Sequence, residues 1–156
     1  MIRAKQVVSA LSLALILAAV VIIDGQDNQI VSEVCLGCIC NAVSNCNRTL
    51  TCSGDVCGIF RITWAYWSDA GKPVLDQDDP SSPGAYSRCV NEPFCAAATV
   101  RGYMARFRQD CNGDGVINCD DYARLHLLGG YGCGGGLTPL YQQRYQECRS
   151  QFNENS

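Results

Sequence analysis

Residues 35–46, "CLGCICNAVSNC", place four cysteines within twelve residues. Between these cysteines, Leu36, Ile39 and Val43 recur at the three- and four-residue spacing of one helix face. Cysteines on such a helix can cross-link it to other parts of the chain. We therefore predict a cross-linked helix here, in a small fold that disulfide bonds stabilise.

The chain contains 12 cysteines, all of them after residue 34. An even number of cysteines in a short chain with a secretory N-terminus indicates a disulfide framework, here of up to six bonds. Zinc binding is the alternative for such spacings, but the chain has only one histidine and an oxidising compartment pairs thiols. The pattern does not determine the pairing. The predicted disulfide cysteines are Cys35, Cys38, Cys40, Cys46, Cys52, Cys57, Cys89, Cys95, Cys111, Cys119, Cys133 and Cys148.

The N-terminus has the layout of a secretory signal peptide. Arg3 and Lys5 precede an apolar run of 17 residues, 7–23, which polar residues follow. Because 17 residues is at the short end for a membrane span, an uncleaved anchor is the alternative. We predict a secreted protein with no membrane association after cleavage. The predicted organisation is a signal peptide at 1–25, a polar leader at 26–34, one domain at 35–150 and a tail at 151–156.

The charge of the chain is mildly acidic, with 12 basic and 15 acidic residues and a net charge of −3. This balance argues against nucleic acid as a partner. We expect a monomer.

The remaining patterns predict a mostly helical α+β protein. Residues 57–67, "CGIFRITWAYW", are β-branched and aromatic, which favours a short strand or a strand followed by a helix. Residues 68–86 are rich in Gly, Pro, Asp and Ser and are predicted to form a loop. Further helices are predicted at 91–109, 121–130 and 138–152, the last with Thr138 as N-cap and Pro139 at its first position.

Residues 110–121, "DCNGDGVINCDD", match a calcium-binding loop of the EF-hand type. Such a loop needs oxygen ligands at positions 1, 3, 5, 7, 9 and 12 and glycine at position 6, which is Gly115 here. We predict a structural Ca²⁺ that fixes the angle between two helices. A disulfide-bonded loop without metal is the alternative. The predicted ligands are Asp110, Asn112, Asp114, the carbonyl of Val116, Asn118 and Asp121.

Four stretches together resemble the invertebrate-type lysozyme family, which includes the destabilases. They are "CLGCIC" at 35–40, "CGIFRITWAYWSDAGKP" at 57–73, "VRGYMARF" at 100–107 and "ARLHLLGGYGC" at 123–133. The resemblance implies a disulfide-rich, lysozyme-like fold with a small β-hairpin, in which the calcium-type loop is an insertion between two helices. It also implies hydrolysis of the β-1,4 bonds of bacterial peptidoglycan, in defence or digestion.

The resemblance also identifies the positions where this chain departs from the family. Lysozyme chemistry needs two carboxyl groups, one of which gives a proton to the leaving oxygen. The family's proton-donating glutamate aligns with Val43, so Glu33 and Asp55 are the acids that could replace it. We take Asp55 as the candidate catalytic residue. The alternative function is an inactive glycan-binding protein, or a calcium-stabilised structural protein, on the same scaffold.

The expected partner is therefore bacterial cell-wall glycan. Trp64 is expected in the core, because aromatic residues dominate small cores. His126 matches a family histidine, with a structural hydrogen-bonding role as its alternative. Asn47-Arg48-Thr49 is an N-glycosylation sequence, which predicts a glycan on Asn47. The predicted substrate-binding residues are Tyr66, Trp67, Asp69 and His126.

Overall fold

The computed structural model describes residues 30–152. The predicted signal peptide, leader residues 26–29 and tail residues 153–156 lie outside the described residues. In the described part the chain forms six helices and one two-stranded sheet, which confirms a mostly helical α+β fold with a small hairpin. In order these are α1 Glu33–Ser44, β1 Val56–Cys57, β2 Ile62–Thr63, α2 Trp64–Asp69, α3 Ala85–Asn91, α4 Pro93–Phe107, α5 Cys119–Leu128 and α6 Pro139–Gln151.

Helix α1 starts earlier than the domain boundary predicted at residue 35. The Ser32 side chain accepts a hydrogen bond from the Cys35 amide, which makes Ser32 the N-cap. Val31, just before it, is 1% exposed. The end of the predicted polar leader therefore belongs to the folded domain, because a capping serine and a buried valine attach it to the core.

Helix α1 lies at the centre of the molecule. Six of its residues are buried, and it packs along α6. A helix that is buried on several faces must be surrounded by other elements. Disulfide bonds join it to two of them, through Cys35–Cys119 to α5 and through Cys38–Cys148 to α6.

All 12 cysteines are paired in the described structure, which confirms the disulfide framework. Three bonds are local and three join distant segments. Cys111 and Cys119, the two cysteines of the predicted calcium loop, bond to different partners rather than to each other. The pairs are Cys35–Cys119, Cys38–Cys148, Cys40–Cys46, Cys52–Cys57, Cys89–Cys95 and Cys111–Cys133.

The hairpin leads directly into α2. Its strands are antiparallel, with Cys57 opposite Ile62. Thr63 ends β2 and also caps α2, because its hydroxyl accepts a hydrogen bond from the Tyr66 amide at 3.2 Å. The prediction of a strand followed by a helix is confirmed. The tight connection places the side chains of α2 next to the end of the hairpin.

Helix α3 is absent from the sequence-based prediction, which assigned residues 68–86 to a loop and began the next helix at 91. The chain is irregular up to Gly84, where a positive φ of 81° precedes the helix. Glu92 then separates α3 from α4 and caps α4 by accepting from the Cys95 amide at 2.7 Å. A seven-residue helix is too short to show a clear apolar period in the sequence.

No helix among residues 30–152 has the length and apolar character needed to cross a membrane.

Candidate functional site

A cavity of about 340 Å³ opens between the hairpin, α2, α4 and α5. Its volume falls within the range of small-molecule pockets, which is roughly 300–1,000 Å³. Three of the four predicted substrate-binding residues line it, so the structure brings Tyr66, Asp69 and His126 together. The full lining is Arg61, Thr63, Ala65, Tyr66, Asp69, Tyr103, His126, Leu127, Leu128 and Gly129.

His126 is held by hydrogen bonds at both ring nitrogens. Its Nε2 lies 2.9 Å from the Phe60 carbonyl oxygen, and its Nδ1 lies 3.1 Å from the Tyr66 hydroxyl. Because a carbonyl oxygen only accepts, Nε2 carries the proton and Nδ1 accepts from Tyr66. Burial lowers the pKa of His126 to about 4, against the opposing effect of the Phe60 bond. The imidazole is therefore neutral at pH 7 and joins the hairpin to α2 and α5, as its structural alternative expected.

Tyr66 forms the wall between His126 and α4. Its ring stacks on Tyr103, with centroids 3.7 Å apart and an angle of 12° between the planes. The Tyr103 hydroxyl in turn accepts a hydrogen bond from the Gly130 amide at 2.9 Å. Burial, and then the neighbouring Tyr103, raise the pKa of the Tyr66 hydroxyl. This side of the cavity is therefore rigid and uncharged, and Tyr103 covers one face of the Tyr66 ring.

Asp69 supplies a carboxylate at the edge of the cavity. It lies at the end of α2, where its Oδ1 is 3.3 Å from Nη1 of Arg106 on α4. Both side chains are substantially exposed, so this ion pair contributes little to stability. The pair holds the carboxylate at the cavity edge, where it can accept hydrogen bonds from sugar hydroxyls.

The two tryptophans have the opposite environments from those predicted. Trp67 is 2% exposed and its indole Nε1 donates to the Pro73 carbonyl at 2.7 Å. It has no free face for a sugar ring, so its assignment to substrate binding is wrong. Trp64, expected in the core, is 56% exposed, with Nζ of Lys72 5.6 Å from its ring centroid. Trp67 lies toward the core side of α2, and Trp64 lies at the exposed start of this short helix.

Arg61 and Tyr103 are among the cavity residues that are not identified from the sequence. Arg61 has a left-handed φ of 54° in the hairpin, which directs the chain back into β2. Tyr103 belongs to the apolar face of α4, where it continues the spacing from Val100. Spacing alone marks Tyr103 as a core residue, and only the stacking on Tyr66 shows that it also lines a cavity.

The acids considered for catalysis do not line this cavity. Val43 is half-buried in the last turn of α1 and packs against the core. Asp55 lies exposed in the turn that joins Ser53 to Val56. Glu33 is ten residues before Val43 on the same helix, roughly 15 Å along the axis, and forms an ion pair with Arg101. Glu33 therefore cannot take the place of a carboxyl group at residue 43.

The carboxylates of the predicted calcium loop are directed at backbone amides. Asp110 accepts from the amides of Gly115 at 2.9 Å and Gly113 at 2.7 Å, and these bonds, the Gly115 bond first, lower its pKa. Asn112 Nδ2 donates to Asp114 Oδ2 at 2.8 Å. These three predicted ligands therefore gather around one turn of the loop.

Asp121 accepts hydrogen bonds from the backbone around the loop. It is fully buried, and its oxygens accept from the amides of Cys111 at 2.7 Å, Asn112 at 3.3 Å and Asn118 at 2.8 Å. Together with Asn118 it forms a capping box at the start of α5. Residues 30–152 contain no group of three or more His, Cys, Asp or Glu side chains that could hold a metal ion. Calcium binding stays a prediction.

A protein-family model described as Destabilase matches residues 32–148. The chain belongs to the destabilase family. This destabilase-family chain is 38% identical to Lysozyme 1 of Crassostrea virginica over 122 residues, which is 74% of this chain and 59% of that protein. It is 33% identical to invertebrate-type lysozyme 3 of Caenorhabditis elegans over 121 residues, 75% of this chain and 86% of that protein.

Solved lysozyme structures are similar in fold to this destabilase-family chain. The Meretrix lusoria lysozyme, in complex with Aeromonas hydrophila PliI, matches with a TM-score of 0.59 and 33% identity, covering 75% of this chain and 89% of that chain. The Tapes japonica lysozyme matches with a TM-score of 0.55 and 27% identity, covering 81% and 94%. These matches confirm the lysozyme-like fold.

Proposed function

We propose that this protein is a secreted lysozyme-type protein that binds the glycan strands of bacterial peptidoglycan and cleaves them poorly. Family membership supports the lysozyme-type function. The observation that carries the proposed weak cleavage is Val43, a half-buried aliphatic side chain at the position of the family's proton donor.

The chemistry of the cavity suits a neutral sugar. Asp69 can accept hydrogen bonds from hydroxyl groups, and the Arg61 guanidinium can donate them. Because His126 is neutral and Tyr66 stays protonated, the inner wall buries no uncompensated charge. A cavity with an uncharged wall and a few polar groups at its edge provides orientation for a sugar without a catalytic acid.

The proton donor of a lysozyme is a carboxyl group whose apolar surroundings raise its pKa. Val43 has such surroundings but no proton to give. Asp55 has a carboxyl group but lies in solvent, and Glu33 lies at the other end of α1. The apolar surroundings that a proton donor needs are at Val43, whereas the candidate carboxyl groups, Asp55 and Glu33, lie elsewhere.

The test is release of reducing ends from purified peptidoglycan by wild type, Val43→Glu and Val43→Gln. We expect wild type and Val43→Gln to release reducing ends only slowly and at similar rates, because neither side chain can act as an acid. Val43→Glu should gain ~10²–10⁴-fold over Val43→Gln, the usual contribution of a general acid. Turnover by wild type that Asp55→Asn abolishes would contradict the proposal and establish a recruited acid.

Binding is measured separately, by cosedimentation with insoluble peptidoglycan. Wild type and Val43→Gln should both cosediment, and Asp69→Ala should weaken the association because it removes the acceptor at the cavity edge. A wild type that stays in the supernatant would favour a purely structural protein on this scaffold.

Secretion is supported by the six disulfide bonds, which form and persist in oxidising compartments. The resemblance to lysozymes over most of the chain agrees with it.

We also propose that the loop at residues 110–121 binds calcium. The ligand spacing supports this, as does the gathering of Asp110, Asn112 and Asp114 around one turn. Binding through Asp121 requires the cation to replace backbone amides that the carboxylate now accepts from. We therefore expect a weak site, with a Kd of ~10⁻⁴–10⁻³ M, as in extracellular calcium modules.

Thermal unfolding with calcium, magnesium or EDTA tests this site. At 10 mM, calcium should raise the free energy of unfolding by ~1.4–2.7 kcal/mol, because a ligand that binds only the folded state stabilises it by RT ln(1 + [L]/Kd). Asp114→Asn should lose this gain, while Asp76→Asn, an exposed acid outside the loop, should keep it. Equal gains in both variants would exclude the loop as the site, and an equal gain with magnesium would exclude a site selective for calcium.

A further inference from the structure

A second concave surface, which we call the apolar groove, lies between α1, the segment after it, the hairpin and the start of α4. Its volume is about 380 Å³ and it is lined mainly by apolar side chains, including Leu36, Phe60 and Phe94. Phe94 is 85% exposed at its edge. A concave apolar surface with an exposed aromatic ring at its edge can bind a covering group.

The groove is separate from the cavity. Phe60 lines the groove, whereas the next residue, Arg61, lines the cavity. The two surfaces share no lining residue. A group that occupies the groove does not need to enter the cavity.

The chain's N-glycosylation sequence lies at the edge of the groove. Cys46 and Arg48 both line it, and Asn47 stands between them. Because neighbouring Cα atoms are ~3.8 Å apart, Asn47 cannot lie far from the groove edge. Its side chain is exposed, as are those of Arg48 and Thr49. Asn47-Arg48-Thr49 is the one Asn-X-Ser/Thr sequence in the chain.

The side chains of this sequence are already arranged around the Asn47 amide. Its Oδ1 accepts hydrogen bonds from the Thr49 amide at 3.0 Å and the Thr49 hydroxyl at 2.8 Å. The other end of the amide, Nδ2, is the atom that N-glycosylation modifies. A turn follows, in which the Leu50 amide donates to the Asn47 carbonyl. A glycan on Nδ2 is compatible with this folded turn, since the turn is exposed.

We propose that Asn47 carries an N-linked glycan whose first N-acetylglucosamine packs against Phe94 and covers the apolar groove. In the transfer, Asn47 Nδ2 loses a proton and bonds to the anomeric carbon of the sugar, and the pyrophosphate of a lipid-linked oligosaccharide leaves. The apolar face of the pyranose ring removes the Phe94 ring from water, and the hydroxyl groups stay solvated. This inference rests on the proposed secretion, since the transfer takes place in the secretory pathway.

The first experiment is the intact mass of the protein secreted by eukaryotic cells. One preparation uses the chain's own N-terminus and a second replaces residues 1–25 with the host's signal sequence. Wild type should carry an added mass that peptide-N-glycosidase removes, converting Asn47 to Asp. Thr49→Ala should lose the added mass and Thr49→Ser should keep it. If only the preparation with the host's signal sequence is secreted, secretion by the chain's own N-terminus is refuted. A secreted wild type with the bare polypeptide mass overturns the glycan.

The second experiment locates the first N-acetylglucosamine on the protein surface. An endoglycosidase trims the glycan to a single N-acetylglucosamine, and nuclear Overhauser effects from its ring protons are measured. We expect contacts to the Phe94 ring, lost in Phe94→Ser, together with lower binding of a hydrophobic dye than in the fully deglycosylated protein. A glycan without contacts to Phe94 would show that it projects into solvent and would overturn the covering role. Both readouts are independent of peptidoglycan binding and cleavage.

Discussion

At the scale of single residues, the chemical type of a side chain does not predict its environment in this protein. Trp64 and Trp67 are identical in type and three residues apart, yet only Trp67 is buried. Val43 is half-buried against the core and carries no titratable group. The residue types could be read from the sequence. Their environments depend on how a six-residue helix and the end of α1 face the core.

His126 is the residue whose environment has a measurable consequence for pH dependence. Its folded-state pKa is about 4, below the usual value of 6.5. Between these values the unfolded chain binds a proton that the folded chain does not, so stability must rise with pH across this window and fall as pH drops through it. Below pH 4 both states are protonated, and this contribution no longer changes.

We therefore expect the free energy of unfolding of wild type to increase between pH 4 and 6.5 more steeply than that of His126→Gln. Glutamine can donate to the Phe60 carbonyl and accept from Tyr66, so the variant keeps the contacts and loses the titration. His126 is the chain's only histidine, which makes the comparison specific. Asp78, whose pKa the hydrogen bond from Arg88 lowers to about 2, responds at lower pH. Parallel urea-unfolding profiles for both proteins would refute this prediction.

At the scale of elements, capping hydrogen bonds decide where the helices begin. The residues that predict a calcium ligand at position 12 also satisfy a capping box, and in the structure Asp121 forms the box. Three N-cap side chains accept a hydrogen bond from a backbone amide in the first turn of their helix: Ser32, Thr63 and Glu92. Such local motifs are visible in the sequence. Which of two compatible roles a residue takes depends on the neighbouring segments, as the buried Cys111 amide shows for Asp121.

The contact between the hairpin and α3 depends on a glycine. Gly58 has a φ of +71°, and a Cβ there would lie 1.9 Å from the Val90 carbonyl oxygen. Gly54 also has a positive φ, +59°, but a Cβ there would meet nothing within 4 Å. A side chain at either position would strain the backbone, but only a side chain at Gly58 would also clash with backbone atoms.

Gly54→Ala should reduce the free energy of unfolding by about 1–2 kcal/mol, the usual cost of a left-handed residue with a Cβ. Gly58→Ala should cost more than this, because the hairpin must also move away from α3. Urea unfolding of both variants measures the difference. Equal losses would mean that the hairpin moves freely relative to α3.

At the scale of the whole molecule, α1 is the element to which the C-terminal half is attached. The bonds Cys35–Cys119 and Cys38–Cys148 close loops with sequence separations of 84 and 110 residues. Cys40–Cys46, which joins α1 to the segment just after it, spans only 6 residues. A disulfide that closes a longer loop removes more entropy from the unfolded chain. The long-range bonds are therefore expected to dominate the stability of this small fold.

Removing both cysteines of a disulfide tests whether the long-range bonds contribute more stability than the short ones. Replacing Cys38 and Cys148 together by alanine should reduce the free energy of unfolding by more than replacing Cys40 and Cys46, which should cost ~2.2 kcal/mol from the loop-closure relation at 25 °C. Both double variants are compared with wild type by urea unfolding under oxidising conditions. A larger loss for the short loop would contradict an entropic origin of this stability.

The sequence by itself determined the class of the fold, the family and the disulfide framework, and the family resemblance predicts that Val43 stands at the position of the proton donor. The fold class and the disulfide framework follow from residue identity and short spacings, which do not depend on the path of the chain. The tertiary structure decided which cysteines pair, which tryptophan is buried and where the cavity lies. Those features join distant residues, such as Phe60 and His126, which are 66 positions apart. Contacts at that separation depend on how all the elements pack, and no local pattern encodes them.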